Sequence, residues 1–132
     1  MRREGDPKRL ITVDLPWEGV LVEAPTLWKR EGKYYLFYSA NDYKTPRYAV
    51  GVAVADSILG PYTKLPEPVL KTTVPKGVIG PGGQDIVAGP DGETWMLFHA
   101  WTAEGIRNLN LARLRWVDET PVVELPNRAR GQ

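Results

Sequence analysis

Short runs of apolar residues alternate with turn residues along this chain. The runs are rich in Val, Ile, Leu, Tyr and Trp, and Gly, Pro, Asp and Asn concentrate between them. β-Branched and aromatic residues favour strands, whereas Gly and Pro interrupt them. The pattern predicts an all-β protein of short strands joined by tight turns and argues against a helical bundle.

The runs recur at a spacing of about 60 residues. Residues 47–54 match residues 107–114, and residues 61–66 match residues 121–126, both at an offset of 60. Residues 34–38 match residues 95–99 at an offset of 61, which sets His99 against Tyr38. Arg, Pro and Leu that recur in register indicate an internal repeat.

Each repeat contains four predicted strands. They lie at about 25–30, 33–40, 47–56 and 61–65 in the first unit, and at about 84–89, 94–101, 108–117 and 121–125 in the second. Glu31-Gly32 and Pro90-Asp91-Gly92 are the predicted first turns, because Gly accepts a positive φ and Pro presets its own. Four antiparallel strands per repeat are typical of a β-propeller blade. We therefore predict two four-stranded antiparallel blades.

The predicted organisation has five parts. They are an N-terminal segment at 1–16 with a possible edge strand, a first blade at 17–66, a connecting loop at 67–83, a second blade at 84–126 and a tail at 127–132.

Composition excludes several classes of function. The 132 residues include 17 Lys+Arg against 16 Asp+Glu, one His and no Cys. Near-neutral charge gives no broad field for nucleic acid or anionic membranes, and the absence of Cys removes thiolate chemistry. No apolar run reaches the roughly 18–20 residues of a membrane span. Without a signal-peptide pattern we expect a cytoplasmic protein, or a secreted one if a leader has been removed.

Glu23 is the first candidate for chemistry. The first strand of a blade lines the central channel, and Glu23 stands where that strand begins. Its neighbours Leu21, Val22, Ala24 and Pro25 are apolar, a setting that disfavours the ionised carboxylate and suits a general acid. The alternative is a solvated carboxylate at a strand end.

The second unit offers further candidates near the same channel. The glycine-rich stretch at 80–83 favours a turn into the channel, after which Gln84 or Asp85 faces the axis. Asp85 has an alternative role in capping that turn. His99 lies on an apolar strand, where a structural role competes with a role as a ligand. Arg107 suits a sugar hydroxyl or carboxylate, with a structural ion pair as its alternative.

Aromatic residues add candidate sugar contacts. The chain has five Trp and six Tyr, which suit stacking on carbohydrate, although most are expected to fill the space between blades. Trp28 is the candidate nearest to Glu23 in the first predicted strand.

Several of these stretches together resemble glycoside hydrolase family 43 over residues 18–125. The likeness is carried by VEAPTLW at 22–28, GKYYLFYS at 32–39, YAVGVAVADS at 48–57, LGPY at 59–62, GPGGQ at 80–84 and the stretch from PDG at 90–92 to HAW at 99–101. The resemblance implies a five-bladed propeller that releases arabinose or xylose from plant polysaccharides with inversion.

The resemblance also implies roles for individual residues. The family uses an Asp base, a second Asp that orients and tunes, and a Glu acid, and the Glu of the matched motif is Glu23. The two Asp belong to blades that precede this motif. Many members carry a His near a channel metal at the position of Gly83, so no metal is expected here, although a channel calcium is possible. Arg107 matches the neighbourhood of a sugar-contacting arginine.

Two blades do not close a ring. We expect two unpaired apolar blade faces, at 50–55 and 109–114, and association through them into a homo-oligomer or with a complementary propeller chain. Three hypotheses follow: a glycosidase acting on pentose-containing oligosaccharides, completed by another chain; a non-catalytic carbohydrate-binding module; and an inactive remnant.

Overall fold

The computed structural model describes residues 5–127, which form two four-stranded antiparallel sheets. Blade one has the strand order β1-β2-β3-β4, and blade two has the order β5-β6-β7-β8. The strands are β1 (Val22–Arg30), β2 (Lys33–Ala40), β3 (Ala49–Ala55), β4 (Thr63–Lys64), β5 (Ile79–Ala88), β6 (Thr94–Trp101), β7 (Arg107–Val117) and β8 (Thr120–Glu124). The only helical turns in this part of the chain are 3-10 turns at Pro16–Glu18 and Val74–Lys76. The predicted all-β fold is confirmed.

Tight turns connect the first two strands of each blade, as predicted. Glu31 and Gly32 have φ of 49° and 77°, the two positive values of a hairpin turn whose twist matches its strands. In blade two the N–H of Gly92 donates to the Gly89 carbonyl at 3.1 Å, so the chain reverses at the predicted Pro-Asp-Gly. None of the helices in residues 5–127 has the length and apolar character that crossing a membrane requires.

Strand β5 begins earlier than the sequence pattern indicates. It starts at Ile79, inside the segment 67–83 that was predicted as a connecting loop. The glycines do not end the strand, because the pairing register shifts between Ile79 and Gly82 and again between Gly82 and Asp85. Bulges of this kind allow a glycine-rich stretch to remain paired.

The possible edge strand in the N-terminal segment does not form within residues 5–15. Residues 9–18, the covering segment, lie across blade one without a strand ladder. The Lys64 ammonium donates to the Thr12 carbonyl, so a side chain holds this backbone instead of a neighbouring strand. Residues 1–4 of the segment and 128–132 of the predicted tail lie outside the described residues.

The main hydrophobic core lies between the two blades. Blade one contributes alternate residues of β2 and β3, and blade two contributes Ile86 of β5 and alternate residues of β6 and β7. Leu70 and Val78 come from the connection between the blades. Its buried members are Tyr35, Phe37, Val50, Val52, Leu70, Val78, Ile86, Met96, Phe98, Ala100, Ala112 and Leu114. Alternation places one set of side chains on each face of a strand, so a single face of each blade forms this interface.

The face that each strand turns to the shared core corrects the repeat alignment around His99. Ser39 is opposite Val50 on β3, and His99 is opposite Leu109 on β7. The shared core is lined by odd-numbered residues of β2 and by even-numbered residues of β6. Because neighbouring blades turn opposite faces to the core between them, equivalent positions keep the same parity, and the even offset of 60 sets His99 against Ser39 and not against Tyr38. A shift of one residue along a strand moves every side chain to the other face, which is why the similarity of the apolar runs was misleading.

The two remaining blade faces differ, contrary to the expectation that both are unpaired. On blade one, Trp17 of the covering segment stacks on Tyr38 with centroids 5.9 Å apart. On blade two, the open face carries Leu97, Leu109 and Leu111, which are 37%, 83% and 50% exposed. The apolar face that no described residue covers therefore belongs to blade two alone.

Candidate active site

Glu23 lies near the start of β1, beside an irregularity in the strand pairing. It is opposite Ser39, whereas Thr26 is opposite Phe37, so the register shifts between them. Ala24 lies inside this shift with a φ of 52°, in the left-handed region that side-chain-bearing residues rarely adopt. Such strain persists where surrounding contacts hold it. The side chain of Glu23 is exposed, so its carboxyl group is accessible to a ligand.

A buried tyrosine holds one oxygen of this carboxylate. Tyr48 Oη donates to Glu23 Oε1 at 2.8 Å, and Tyr48 is 2% exposed. Burial raises the pKa of Tyr48 to about 12, so its hydroxyl keeps its proton near neutral pH. Tyr48 therefore remains a hydrogen-bond donor to Glu23, which is 25 residues away in the sequence.

Two glycines make room for the rings beside Glu23. The rings of Tyr48 and His99 stack with centroids 5.8 Å apart and planes 11° apart. A Cβ at Gly82 would lie 1.9 Å from Tyr48 Cε1, and a Cβ at Gly83 would lie 2.6 Å from His99 Cδ2. Any side chain at either position would displace a ring, so the glycine-rich stretch serves close packing.

His99 is neutral in this setting. Burial lowers its pKa, the positive charge of Arg107 lowers it further, and only Glu23 acts in the opposite direction. Its Nδ1 atom is buried and has no hydrogen-bond partner among the described residues. The side chain contributes an uncharged aromatic surface with one unused polar atom.

Arg107 stands beside an open cleft at the same end of the blades. Its guanidinium lies 5.6 Å from the Tyr43 ring centroid and 5.3 Å from that of Trp101, and the cleft has a volume of about 720 Å³. Trp101 Nε1 donates to the Tyr43 carbonyl at 2.9 Å, which ties the two blades together. Aromatic faces and a guanidinium in one cleft suit a sugar ring and its hydroxyl groups.

Gln84 has a different position from the predicted one. It is 4% exposed, accepts a hydrogen bond from Ser39 Oγ at 2.6 Å and donates to the Ala24 carbonyl at 2.7 Å. Thr26 Oγ1 in turn donates to the Gln84 carbonyl at 2.8 Å. These contacts cross from blade two to blade one, so the geometry favours a structural link over a direct sugar contact.

Trp28 and Asp85 lie apart from Glu23's immediate contacts. Trp28 is opposite Tyr35 on β2 and packs against the core between the blades. Asp85 is opposite Leu97, on the open face of blade two, and its Oδ1 accepts the N–H of Ile86 at 2.9 Å. The structure thus brings together Glu23, His99 and Arg107 of the predicted residues.

The described residues do not provide a calcium site. Within 5–127 no group of three or more His, Asp and Glu side chains is placed to hold a metal ion. Gly83 has no ligand atom in its side chain, and the His99 ring occupies the adjacent space.

Tyr48 and Ser39 are the site residues that sequence reasoning missed. Tyr48 begins the YAVGVAVADS motif at 48–57, which indicated no role for it, and Ser39 lies near the end of the apolar run of β2. The available signal was indirect: the small residues at 82 and 83 indicate that something bulky lies against them.

Comparison with solved structures defines the class of this fold. The chain superposes on the crystal structure of a thermostable family-43 glycoside hydrolase with a TM-score of 0.88 and 35% identity, over 99% of this chain and 46% of that one. The two radially packed sheets are blades of a glycoside hydrolase β-propeller.

Sequence comparison identifies the family. The model of glycosyl hydrolases family 43 matches residues 2–121. The chain is 43% identical over 56 residues to xylosidase/arabinosidase 43A of Humicola insolens, covering 42% of this chain and 17% of that protein. It is 29% identical over 117 residues to the extracellular endo-α-(1→5)-L-arabinanase of Thermotoga petrophila, covering 77% and 23%. The chain belongs to glycosyl hydrolases family 43, and it spans less than a quarter of these two relatives.

Proposed function

We propose that this chain is the acid-bearing part of a family 43 glycoside hydrolase and that Glu23 is the general acid. The observation that carries the proposal is an accessible carboxyl group fixed at one oxygen by Tyr48, beside His99 and Arg107. A carboxyl held in this way is placed to give its proton to a glycosidic oxygen. The names of the relatives support arabinose- or xylose-containing saccharides as substrates.

Inverting hydrolysis requires a separate base, about 6.5–9.5 Å from the acid, with a water molecule between. Asp14 and Glu18 are engaged by Lys64, and Asp85 lies on the open face of blade two. Since the family resemblance also places the Asp base in blades that precede the Glu23 motif, we assign the base to propeller blades outside residues 5–127. On this account the isolated chain is inactive.

Those further blades dock on the open face of blade two. Leu97, Leu109 and Leu111 form an apolar strip there, and the solved relative has more than twice the length of this chain. Exposed apolar surface of this kind promotes association. We assign this face to the complementary part of a five-bladed propeller. Sedimentation tests the assignment. If the chain stays a compact monomer when such a partner is present, the assignment is overturned; if the chain alone forms a dimer or trimer, the partner is a second copy of this chain.

The function is tested by supplying the missing blades. The chain is combined with the complementary part of a family 43 relative, and cleavage of unactivated arabinose- and xylose-containing oligosaccharides is measured. We expect cleavage by the combination, and its loss by about 10²–10⁴-fold in Glu23→Gln. Glu31→Gln, which alters an exposed carboxylate at the β1–β2 turn, is the matched control and retains activity.

The same experiment separates the alternatives. Sugar binding without cleavage in both the wild-type and Glu23→Gln assemblies indicates a non-catalytic carbohydrate-binding module. Absence of both binding and cleavage indicates an inactive remnant. Since the arabinanase relative is an extracellular protein by name, the expectation of a cytoplasmic location stays a prediction.

A further inference from the structure

The contacts around Glu23 come from both blades. From blade one, the Tyr48 hydroxyl donates to Glu23 Oε1. From blade two, the Gln84 amide donates to the carbonyl of Ala24, the next residue in the chain. One contact holds the side chain and the other holds the backbone, at the point where the register of β1 shifts.

Tyr48 has little freedom to leave this position. It is buried, its ring stacks on His99, and its Cε1 approaches Gly82 so closely that a methyl group there would overlap it. Its hydroxyl donates to Glu23 Oε1, and Ser39 Oγ, on the residue opposite Glu23, donates to Gln84. Packing on the ring and hydrogen bonding at the hydroxyl thus fix the direction from which Glu23 is held.

The two oxygens of Glu23 are not equivalent. Oε1 accepts the hydrogen bond from Tyr48, and no residue in the described part of the chain donates to Oε2. A protonated carboxyl still accepts a hydrogen bond at its carbonyl oxygen, so the Tyr48 contact is compatible with both charge states. In the protonated state, the carbonyl oxygen is then Oε1 and the proton is on Oε2.

We propose that Tyr48 is the positioning residue for Glu23: its hydroxyl holds Oε1 and thereby presents the protonated Oε2 to the leaving glycosidic oxygen. Gln84 supports the same geometry by holding the Ala24 carbonyl. The functional part of this inference rests on the proposed role of Glu23 as the acid. The geometric part does not, and the two are tested separately.

The geometric part is tested on the full chain by NMR, through the χ1 rotamer populations of Glu23. In Tyr48→Phe, which keeps the ring, we expect the preference for the dominant rotamer to fall at least about fivefold, because the side chain loses its hydrogen bond from the hydroxyl. Tyr35→Phe is the matched control, because Tyr35 is equally buried and its hydroxyl donates to the Glu119 carbonyl and not to Glu23. Unchanged Glu23 rotamers in Tyr48→Phe overturn the proposal.

A second measurement needs no substitution. In the wild-type chain, the Tyr48 hydroxyl proton is expected to exchange slowly and to show a nuclear Overhauser effect to the Glu23 side chain. If Tyr48→Phe fails to fold, this signal decides the matter, and its absence from a spectrum that shows other buried hydroxyl protons contradicts the contact.

The functional part is tested in the completed enzyme. There Tyr48→Phe is expected to lower kcat by about tenfold with little change in KM, because orientation of the acid acts on the chemical step. Altered rotamers with an unchanged kcat confirm the contact and overturn the positioning role of Tyr48, whereas full activity of Glu23→Gln on an unactivated substrate refutes the role of Glu23 as the acid. A rise in KM alone indicates a substrate-binding role for Tyr48 and overturns the positioning role.

Discussion

Lys64 and Glu18 form a buried ion pair that fastens the covering segment to blade one. Lys64 Nζ lies 2.7 Å from Glu18 Oε2, and the two side chains are 8% and 0% exposed. Glu18 Oε1 also accepts the N–H groups of Asp14 and Leu15, so the carboxylate organises its own turn. These side-chain contacts hold the covering segment against blade one, where a further strand would be held by backbone hydrogen bonds.

Removing one partner of this pair is expected to be costly. Lys64→Met leaves the Glu18 carboxylate buried without its cation, which typically costs about 3–5 kcal/mol. The free energy of unfolding from urea titration measures the effect. Lys33→Met, which breaks the exposed pair with Asp56, is the control and should change stability little. Equal effects of the two substitutions contradict a structural role for the buried pair.

Stability is expected to fall with acidification through His99. Its pKa is lowered in the folded state, whereas in the unfolded chain it is about 6.5. Below a pH of about 6.5 His99 is protonated in the unfolded chain but not in the folded one, so the free energy of unfolding decreases until the pKa of the folded state is reached. Above the pKa of the unfolded chain, His99 is neutral in both states and contributes no pH dependence.

Urea unfolding at pH of about 7.5, 6.5 and 5.5 tests this, in a window above the ordinary titration of carboxylates. His99→Gln removes the titrating group and should flatten the dependence. The same slope in the variant and the wild type would show that another group is responsible.

The close approach at Gly82 predicts a specific sensitivity. In Gly82→Ala the new Cβ would lie 1.9 Å from Tyr48 Cε1, so the ring must move and its hydrogen bond to Glu23 must lengthen. We expect a destabilisation of about 1–3 kcal/mol from overpacking, together with averaged Glu23 rotamers in NMR spectra. Gly32→Ala meets no atom within 4 Å and serves as the control, since it strains only an exposed turn and leaves Glu23 unaffected.

The open face of blade two predicts where assembly is sensitive to charge. Leu111→Asp places a carboxylate in the apolar strip and should weaken association at least tenfold, measured as the dissociation constant by sedimentation. Ile58→Asp is the control, because Ile58 lies in a loop and is also 50% exposed. If the two variants associate equally well, the interface lies elsewhere.

The strands and first turns were predictable because their signals are local. The apolar run of β6 and the Glu31-Gly32 pair each depend on neighbours within a few residues, and both elements lie where expected. The start of β5 was missed because paired bulges keep Gly82 inside a strand. The strand propensity of glycine is low, so the residues around Gly82 do not indicate that they pair with β6.

The site was predictable only in part, for a related reason. Glu23 stands in a motif and could be named as a candidate, but its partner Tyr48 is defined by a contact across 25 residues and by the absence of a side chain at Gly82. His99 was assigned to the wrong repeat position because apolar runs look alike when shifted by one residue. The face that each strand turns to the shared core removes that ambiguity, and it is a property of the folded chain.

The dependence on the leaving group tests the role of Glu23 most directly. In the assembly with the complementary blades, kcat/KM is measured for a dinitrophenyl pentoside, which needs little proton donation, and for an unactivated oligosaccharide, which needs full donation. Glu23→Gln is expected to reduce cleavage of the oligosaccharide by about 10²–10⁴-fold and to leave the activated substrate nearly unaffected. Equal losses on both substrates, or no loss on either, contradict the assignment of Glu23 as the acid.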